Sequence, residues 1–204
     1  MNKELVLIID NQYFPCVNWF KKSIEFSNIK LSLNERWQKM SFANRCVIAG
    51  SNGLINLSVP IENGRNQKLV FRDVKIANDI NWQVQHWRTI FSCYGKSPFF
   101  EFYKDGIRPF FEKKYKYLFD LNFEIISTVN NYIGNNQIVT MYEGEFNEEM
   151  ERRLTYCTPQ DFQKQPDPIV YMQLFEDRIG FQPNLSVLDL LFMEGPNSRY
   201  LLID

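Results

Sequence analysis

Residues 4–9 read ELVLII and residues 29–33 read IKLSL. Between them Cys16, Trp19, Phe20, Ser23 and Ile24 recur at the i, i+3, i+4 spacing of one helical face. A strand, a helix and a strand in so short a span form a βαβ unit, whose crossover helix carries the chain back to pair the two strands in parallel. Pro15 is expected at the first helical position, where its missing N–H costs nothing, and Asn28 as the stop. No other feature constrains the fold as strongly, because it excludes an all-α or a purely antiparallel architecture. It also places NQYFP, residues 11–15, at the carboxyl end of the first strand, where open α/β sheets hold their ligands.

The rest of the chain reads as additions to that unit. RWQKMSFANR (36–45) is a polar loop dotted with aromatics. RCVIAG and LINLSVP flank a Gly-Ser-Asn-Gly turn and predict a β-hairpin over 45–60. ENGRNQ (62–67) is expected as an exposed loop and LVFRDVKI (69–76) as a strand. The middle is helical: Trp82, His86, Ile90 and Cys93 share a face, Ile107, Phe110, Phe111, Lys114, Tyr115 and Leu118 a second, and Leu121, Ile125, Val129, Tyr132 and Ile133 a third, with Gly134 as its stop. QIVTMY (137–142) and VYMQLF (170–175) read as strands. Residues 143–168, charged and then Pro/Gln-rich, read as a loosely packed excursion. NLSVLDLLFMEGP (184–196) reads as a short helix with Ser186 and Asp189 in a capping box. The expectation is one α/β domain over residues 1–204, with a partly parallel, mixed sheet that starts from an N-terminal βαβ unit, an inserted hairpin and a helical middle section.

Bulk charge removes some functions. With 23 Lys plus Arg against 24 Asp plus Glu, the chain has no basic excess with which to grip nucleic acid. The stretch before Asp10 is too short and too acidic for a secretory leader, and no run is long enough to span a bilayer. Cys16, Cys46, Cys93 and Cys157 show no metal spacing and read as reduced thiols. A cytoplasmic protein with no metal site is expected, and no cofactor can be read.

The chain has a single histidine, so any imidazole catalysis rests on His86, and a zinc site with two histidine ligands is excluded. The alternative for His86, beside Trp82 and Ile90, is a hydrogen-bonded core residue. Arg45 could fork onto a phosphate or carboxylate, or tie down a loop. Lys39 reads as a solvated charge. Tyr13 and Phe14 offer flat walls that suit a bound ring or a helix packed on a sheet. Gln12 needs partners for both amide atoms, and Asp10 could end a strand or assist proton transfer.

Taken together, QYFP with Trp19-Phe20, Asn44-Arg45-Cys46-Val47-Ile48, LSVP ending at Pro60, the Trp82–His86–Tyr94 helix and PNLSVLDLLFMEGP resemble the WbqC-like protein family. Many relatives carry Gln-Pro-Tyr-Phe-Phe-Pro and Asn-Arg-Asn where this chain has NQYFP and NRC. The resemblance implies work in bacterial surface-polysaccharide (O-antigen) or nucleotide-sugar metabolism. Its implied reaction is a transferase step, acyl or aminoacyl transfer to an amino sugar. His86 is then the expected general base, Gln12 and Tyr13 line the acceptor pocket, and Asn44 with Arg45 binds the anionic group. The expected partner is a small sugar or nucleotide-linked substrate. Two alternatives stand beside this: a non-catalytic nucleotide- or sugar-binding module, and a scaffold whose aromatic helices at 107–133 form an oligomer face.

Overall fold

The computed structural model describes residues 5–63, 69–135, 137–145 and 155–203. Strand β1 (Val6–Ile9) leads to helix α1 (Val17–Ser23) and back to β2 (Asn28–Ser32), parallel to β1 with Val6 opposite Asn28 and Ile9 opposite Leu31. A hairpin follows, β3 (Arg45–Gly50) and β4 (Gly53–Ser58), turning at Ser51-Asn52. Three helices come next: α2 (Trp82–Tyr94), α3 (Phe100–Ile107) and α4 (Leu118–Tyr132). Strand β5 (Ile138–Tyr142) then joins the far side of β2, also in parallel, giving the order β1-β2-β5. Helices α5 (Glu176–Ile179), α6 (Val187–Glu194) and α7 (Ser198–Ile203) close the chain. The fold is mixed α/β with a βαβ start, an antiparallel hairpin and a helical middle.

The core accounts for the element choice. The apolar face of α1 sends Trp19 and Phe20 fully inside, where α1 packs against α6 and α7. Ile9, Ile29 and Leu31 are fully buried beneath it. Burying each such side chain stabilises the fold by about 1.5–3 kcal/mol before ordering entropy is counted. The late segment is stitched between the first turn and the hairpin. Val17 N–H donates to Leu185 O (2.9 Å), Val187 N–H to Pro15 O (2.8 Å) and Ser186 N–H to Val47 O (2.8 Å). Among the described residues, no helix is long and apolar enough to cross a membrane.

Several local expectations change. Pro15 lies one residue before the N-cap, Cys16, and not at the first helical position; Asn28 opens β2, the helix having already ended at Ser23. Residues 69–76 form no strand. Phe71, Val74 and Ile76 must all reach the core, and the spacing from Phe71 to Val74 requires the 3₁₀ turn at Phe71–Asp73. The helical pattern from Ile107 to Leu118 is not one helix. Pro109 has no N–H and its ring blocks a continuing helix. The chain therefore tightens into a 3₁₀ turn at Arg108–Phe111 and is extended at Tyr117 before α4 begins. Residues 170–175 alternate as a strand would, with Tyr171 and Gln173 buried and Val170 and Met172 exposed, but among the described residues they pair with no ladder. Residues 146–154 lie outside the described residues, as do 64–67 of the expected exposed loop. Downstream, Cys157 and Phe162 are buried, so part of the expected excursion is packed.

Asp189 is not a capping partner. Ser186 alone caps α6, its Oγ accepting from Leu188 N–H. The Asp189 carboxylate turns into the core and accepts from the hydroxyls of Tyr94 (2.7 Å) and Tyr171 (2.8 Å). Burial raises its pKa to about 6, although these hydroxyls and Gln173 pull the other way.

Candidate functional site

A cavity of about 220 Å³ opens outside the carboxyl ends of β1 and β2. Its floor is Asp10, the residue after β1. One rim is the loop that follows β2, with Glu35, Arg36, Lys39 and Phe42; the other is the segment 157–160. Parallel strands all end on one side, and the loops leaving them diverge there, so the crevice follows from the topology.

Local hydrogen bonds hold these walls. Trp19 Nε1–H donates to the Asp10 carbonyl (3.2 Å). Gln12 Nε2 donates to Asp10 Oδ2 (2.8 Å) and to the Cys157 carbonyl (3.0 Å), joining the floor to the far wall. The 157–160 wall is shaped by Asp161, whose Oδ1 accepts from Thr158 N–H (2.9 Å) and Oγ1–H (2.7 Å). Asn184 Nδ2 donates to the carbonyls of Tyr156 (2.7 Å) and Phe162 (2.9 Å), fixing that wall to the start of α6. Phe162 packs edge-on against Phe42, so the two rims meet at an aromatic contact of 5.5 Å between centroids.

The lining combines two carboxyl groups, Asp10 and Glu35, with two cations, Arg36 and Lys39. Hydroxyls of Ser41 and Thr158 and the ring of Phe71 join them. Carboxylates accept from an amine or hydroxyl, and a guanidinium or ammonium holds a phosphate or carboxylate. The volume is below the roughly 300–1,000 Å³ of a typical ligand site, so it suits one ring-sized group with the remainder of a longer ligand outside. Among the described residues, no three His, Cys, Asp or Glu side chains are placed to hold a metal ion.

Of the residues singled out from the sequence, Asp10 and Lys39 line this cavity, whereas Gln12, Tyr13, Asn44, Arg45 and His86 do not. Gln12 stands directly behind the wall. Tyr13 and Phe14 point the opposite way, both fully buried. Phe14 turns the chain with φ 40°, a left-handed conformation, next to a proline that disfavours the right-handed helical alternative. Its ring stacks on Phe111 at 6.0 Å. The Tyr13 hydroxyl meets His86 Nδ1 at 3.0 Å, inside a cage that includes Trp82, 5.1 Å from the imidazole. Burial pushes His86 down to about 4, and the Ser58 carbonyl opposes this only in part. Asn44 closes the hairpin base, its Nδ2 donating to Val59 O (2.8 Å) and its carbonyl accepting from Val59 N–H (2.8 Å). Arg45 opens β3 opposite Ser58 and is half-buried. The aromatic stretch after β1 is therefore largely core, and its Gln12 amide is joined to the site only through Asp10 and the Cys157 carbonyl.

Glu35, Arg36, Ser41 and Thr158 were missed in the sequence. The crevice rule applied to the first strand applies equally to β2, and it would have singled out the loop after Ser32. Nothing local pointed to Thr158, which arrives from a distant part of the chain.

Comparison with known proteins bears on the same region. The model of the WbqC-like protein family matches residues 11–161, which include every lining residue except Asp10. The chain is also 24% identical to the "Uncharacterized protein Rv1507c" of Mycobacterium tuberculosis, over 93% of this chain and 94% of that protein. No solved structure matches.

Proposed function

The chain belongs to the WbqC-like protein family, and from that membership and the cavity we propose a group-transfer enzyme acting on a sugar-type acceptor that carries an anionic group. The observation that carries this reading is the meeting of Asp10 and Glu35 with Arg36 and Lys39 in one crevice at the strand ends. In this reading Arg36 and Lys39 hold a phosphate or carboxylate, and the sugar ring rests against Phe71. Asp10, held by Gln12, accepts the proton as the acceptor's amine attacks the carbonyl carbon of an acyl or aminoacyl donor. The donor's leaving group departs with the electron pair of the broken bond. His86 and Tyr13 support the turn that presents Gln12, and Asn44 and Arg45 hold the hairpin base behind Phe42. Nucleotide-linked amino sugars of the kind used in surface polysaccharides fit this substrate class.

A thermal-shift screen tests the reading, using uridine-diphosphate-linked amino sugars, free nucleotides and inorganic phosphate. A ligand at a hundred times its dissociation constant adds about 2.7 kcal/mol, which moves the midpoint by several degrees. The shift should vanish in Lys39→Ala, and Asp10→Asn should keep the shift but lose turnover with an acyl donor. A shift that survives in Lys39→Ala and Arg36→Ala sinks the proposal. Binding without turnover for any donor leaves a binding module at the same cavity.

A further inference from the structure

The lining of the cavity divides by chemistry. Asp10, Glu35, Arg36 and Lys39 bear ionisable groups, whereas Gln38 and Met40 on one rim and Pro159 and Gln160 on the other are neutral. Met40 is apolar yet 62% exposed. Its backbone has φ 55°, a left-handed conformation that a residue with a side chain keeps only where its surroundings impose it. Ser41 imposes it: its Oγ–H donates to Gln38 O (2.9 Å) and its Oγ accepts from Ala43 N–H (3.3 Å), closing the turn on both sides of Met40. Across the cavity Pro159 and Gln160 form the middle of a turn, in which the Thr158 carbonyl accepts from Asp161 N–H (3.2 Å) and Phe162 N–H (2.9 Å). The side-chain amides of Gln38 and Gln160 are exposed and make no hydrogen bond among the described residues.

We propose that Gln38, Met40, Pro159 and Gln160 form a binding subsite at the mouth of the cavity for a flat nitrogen heterocycle, the base of a nucleotide. A polarisable thioether on one rim and a proline ring on the other give a flat ring apolar surface on both of its faces. Each glutamine amide brings N–H donors and a carbonyl acceptor, the complement of a base edge, whose own donors and acceptors lie in the ring plane. Lys39 stands between Gln38 and Met40 in the chain. A phosphate held at Arg36 and Lys39 therefore leaves the heterocycle it carries beside these residues. The group at the other end of the phosphate is left for the deeper surface of Asp10 and Phe71. Because the cavity admits one ring-sized group, the heterocycle stays at the mouth, where exposed Met40 covers it. This subsite rests on the anion-binding role given above to Arg36 and Lys39, and it specifies that the anion is the phosphate of a nucleotide.

The test is titration calorimetry of the full chain with inorganic pyrophosphate and with the diphosphates of uridine, cytidine, thymidine, adenosine and guanosine. At least one nucleoside diphosphate should bind more tightly than pyrophosphate by about tenfold or more, the scale of one stacked base. Met40→Gly suits the positive φ of the turn and keeps the fold. It should weaken that nucleotide by about two- to tenfold and leave pyrophosphate as it was. Met40→Leu keeps an apolar side chain there and should bind the nucleotide as the parent does. Gln38→Ala and Gln160→Ala should each narrow the spread of affinities among the bases. Pyrophosphate binding with no gain for any nucleoside diphosphate overturns this subsite alone, as does a Met40→Gly variant that loses both probes equally. Binding of neither probe overturns it together with the anion-binding role of Arg36 and Lys39.

Discussion

The Tyr13 hydroxyl sits 3.0 Å from His86 Nδ1, and both residues are buried. Burial keeps the phenol protonated, holding Tyr13 well above its usual range, and keeps the imidazole neutral, with His86 at about 4. The Ser58 carbonyl favours a ring N–H, which leaves Nδ1 as the acceptor and makes Tyr13 the donor. This bond joins the turn after β1 to α2.

Removing the hydroxyl in Tyr13→Phe leaves a buried Nδ1 without its donor while the aromatic packing is kept. The expected loss is about 1–2 kcal/mol, read from urea denaturation. A variant as stable as the parent would show that water takes the place of the bond.

His86 and Asp189 pull the acid limb of stability in opposite directions. The folded pKa of His86, about 4, lies below the unfolded value of 6.5, so the unfolded chain takes up that proton first. Its contribution is present above pH 6.5 and is lost as pH falls to 4, a change of about 3 kcal/mol. Asp189, at about 6, lies above its unfolded 3.8, so the folded chain takes up that proton first. Its contribution is present below pH 3.8 and is lost as pH rises to 6, again about 3 kcal/mol. Between pH 4 and 6 the two contributions nearly cancel, so Asp189→Asn should make stability rise across that range and His86→Gln should make it fall. Parallel curves for both variants and the parent, from denaturation at a series of pH values, would contradict these assignments.

Gly195 and Gly180 both have positive φ, 53° and 72°, but differ in surroundings. A Cβ at Gly195 would lie 2.4 Å from the Phe99 ring, whereas at Gly180 nothing lies within 4 Å. Gly180→Ala should cost only the penalty for placing a side chain at φ 72° and ψ 169°, a region essentially confined to glycine, about 1–3 kcal/mol. Gly195→Ala adds ring displacement at the end of α6 and should cost about 1–3 kcal/mol more, by the usual cost of overpacking. Equal midpoints for the two variants would mean that Phe99 moves aside freely.

Gln12→Ala cuts the tie between Asp10 and the Cys157 carbonyl. Amide hydrogen exchange over residues 155–162 should speed up, while exchange in β3 and β4 stays as it was. Uniform protection across both regions would show that Asn184 and Asp161 hold the wall alone.

Much of the frame is legible in the residues. The period of 3.6 in α1, α2 and α4 and the short apolar runs of β1 and β2 are local patterns, as is the Gly-Ser-Asn-Gly turn, so they can be read without knowing what packs on them. The parallel pairing of β1 with β2 follows from the connection between them. The pattern failed where a covalent constraint overrode periodicity, as at Pro109, and where the core needed a tighter turn, as from Phe71 to Val74. Asp189 failed differently: its spacing from Ser186 suits a cap, but the hydroxyls of Tyr94 and Tyr171 were waiting inside.

The sequence by itself determined the α/β class, the βαβ start and the end of the sheet at which a site would form, because these follow from short-range periodicity and chain connectivity. Only the tertiary structure decided which side chains face that site. It turned Tyr13 and His86 into the core, left Gln12 behind the wall, and brought Thr158 and Cys157 to Asp10. Those placements depend on packing between segments more than a hundred residues apart in places, as Gln12 and Cys157 are, and no local spacing encodes which face of a turn such a partner will cover.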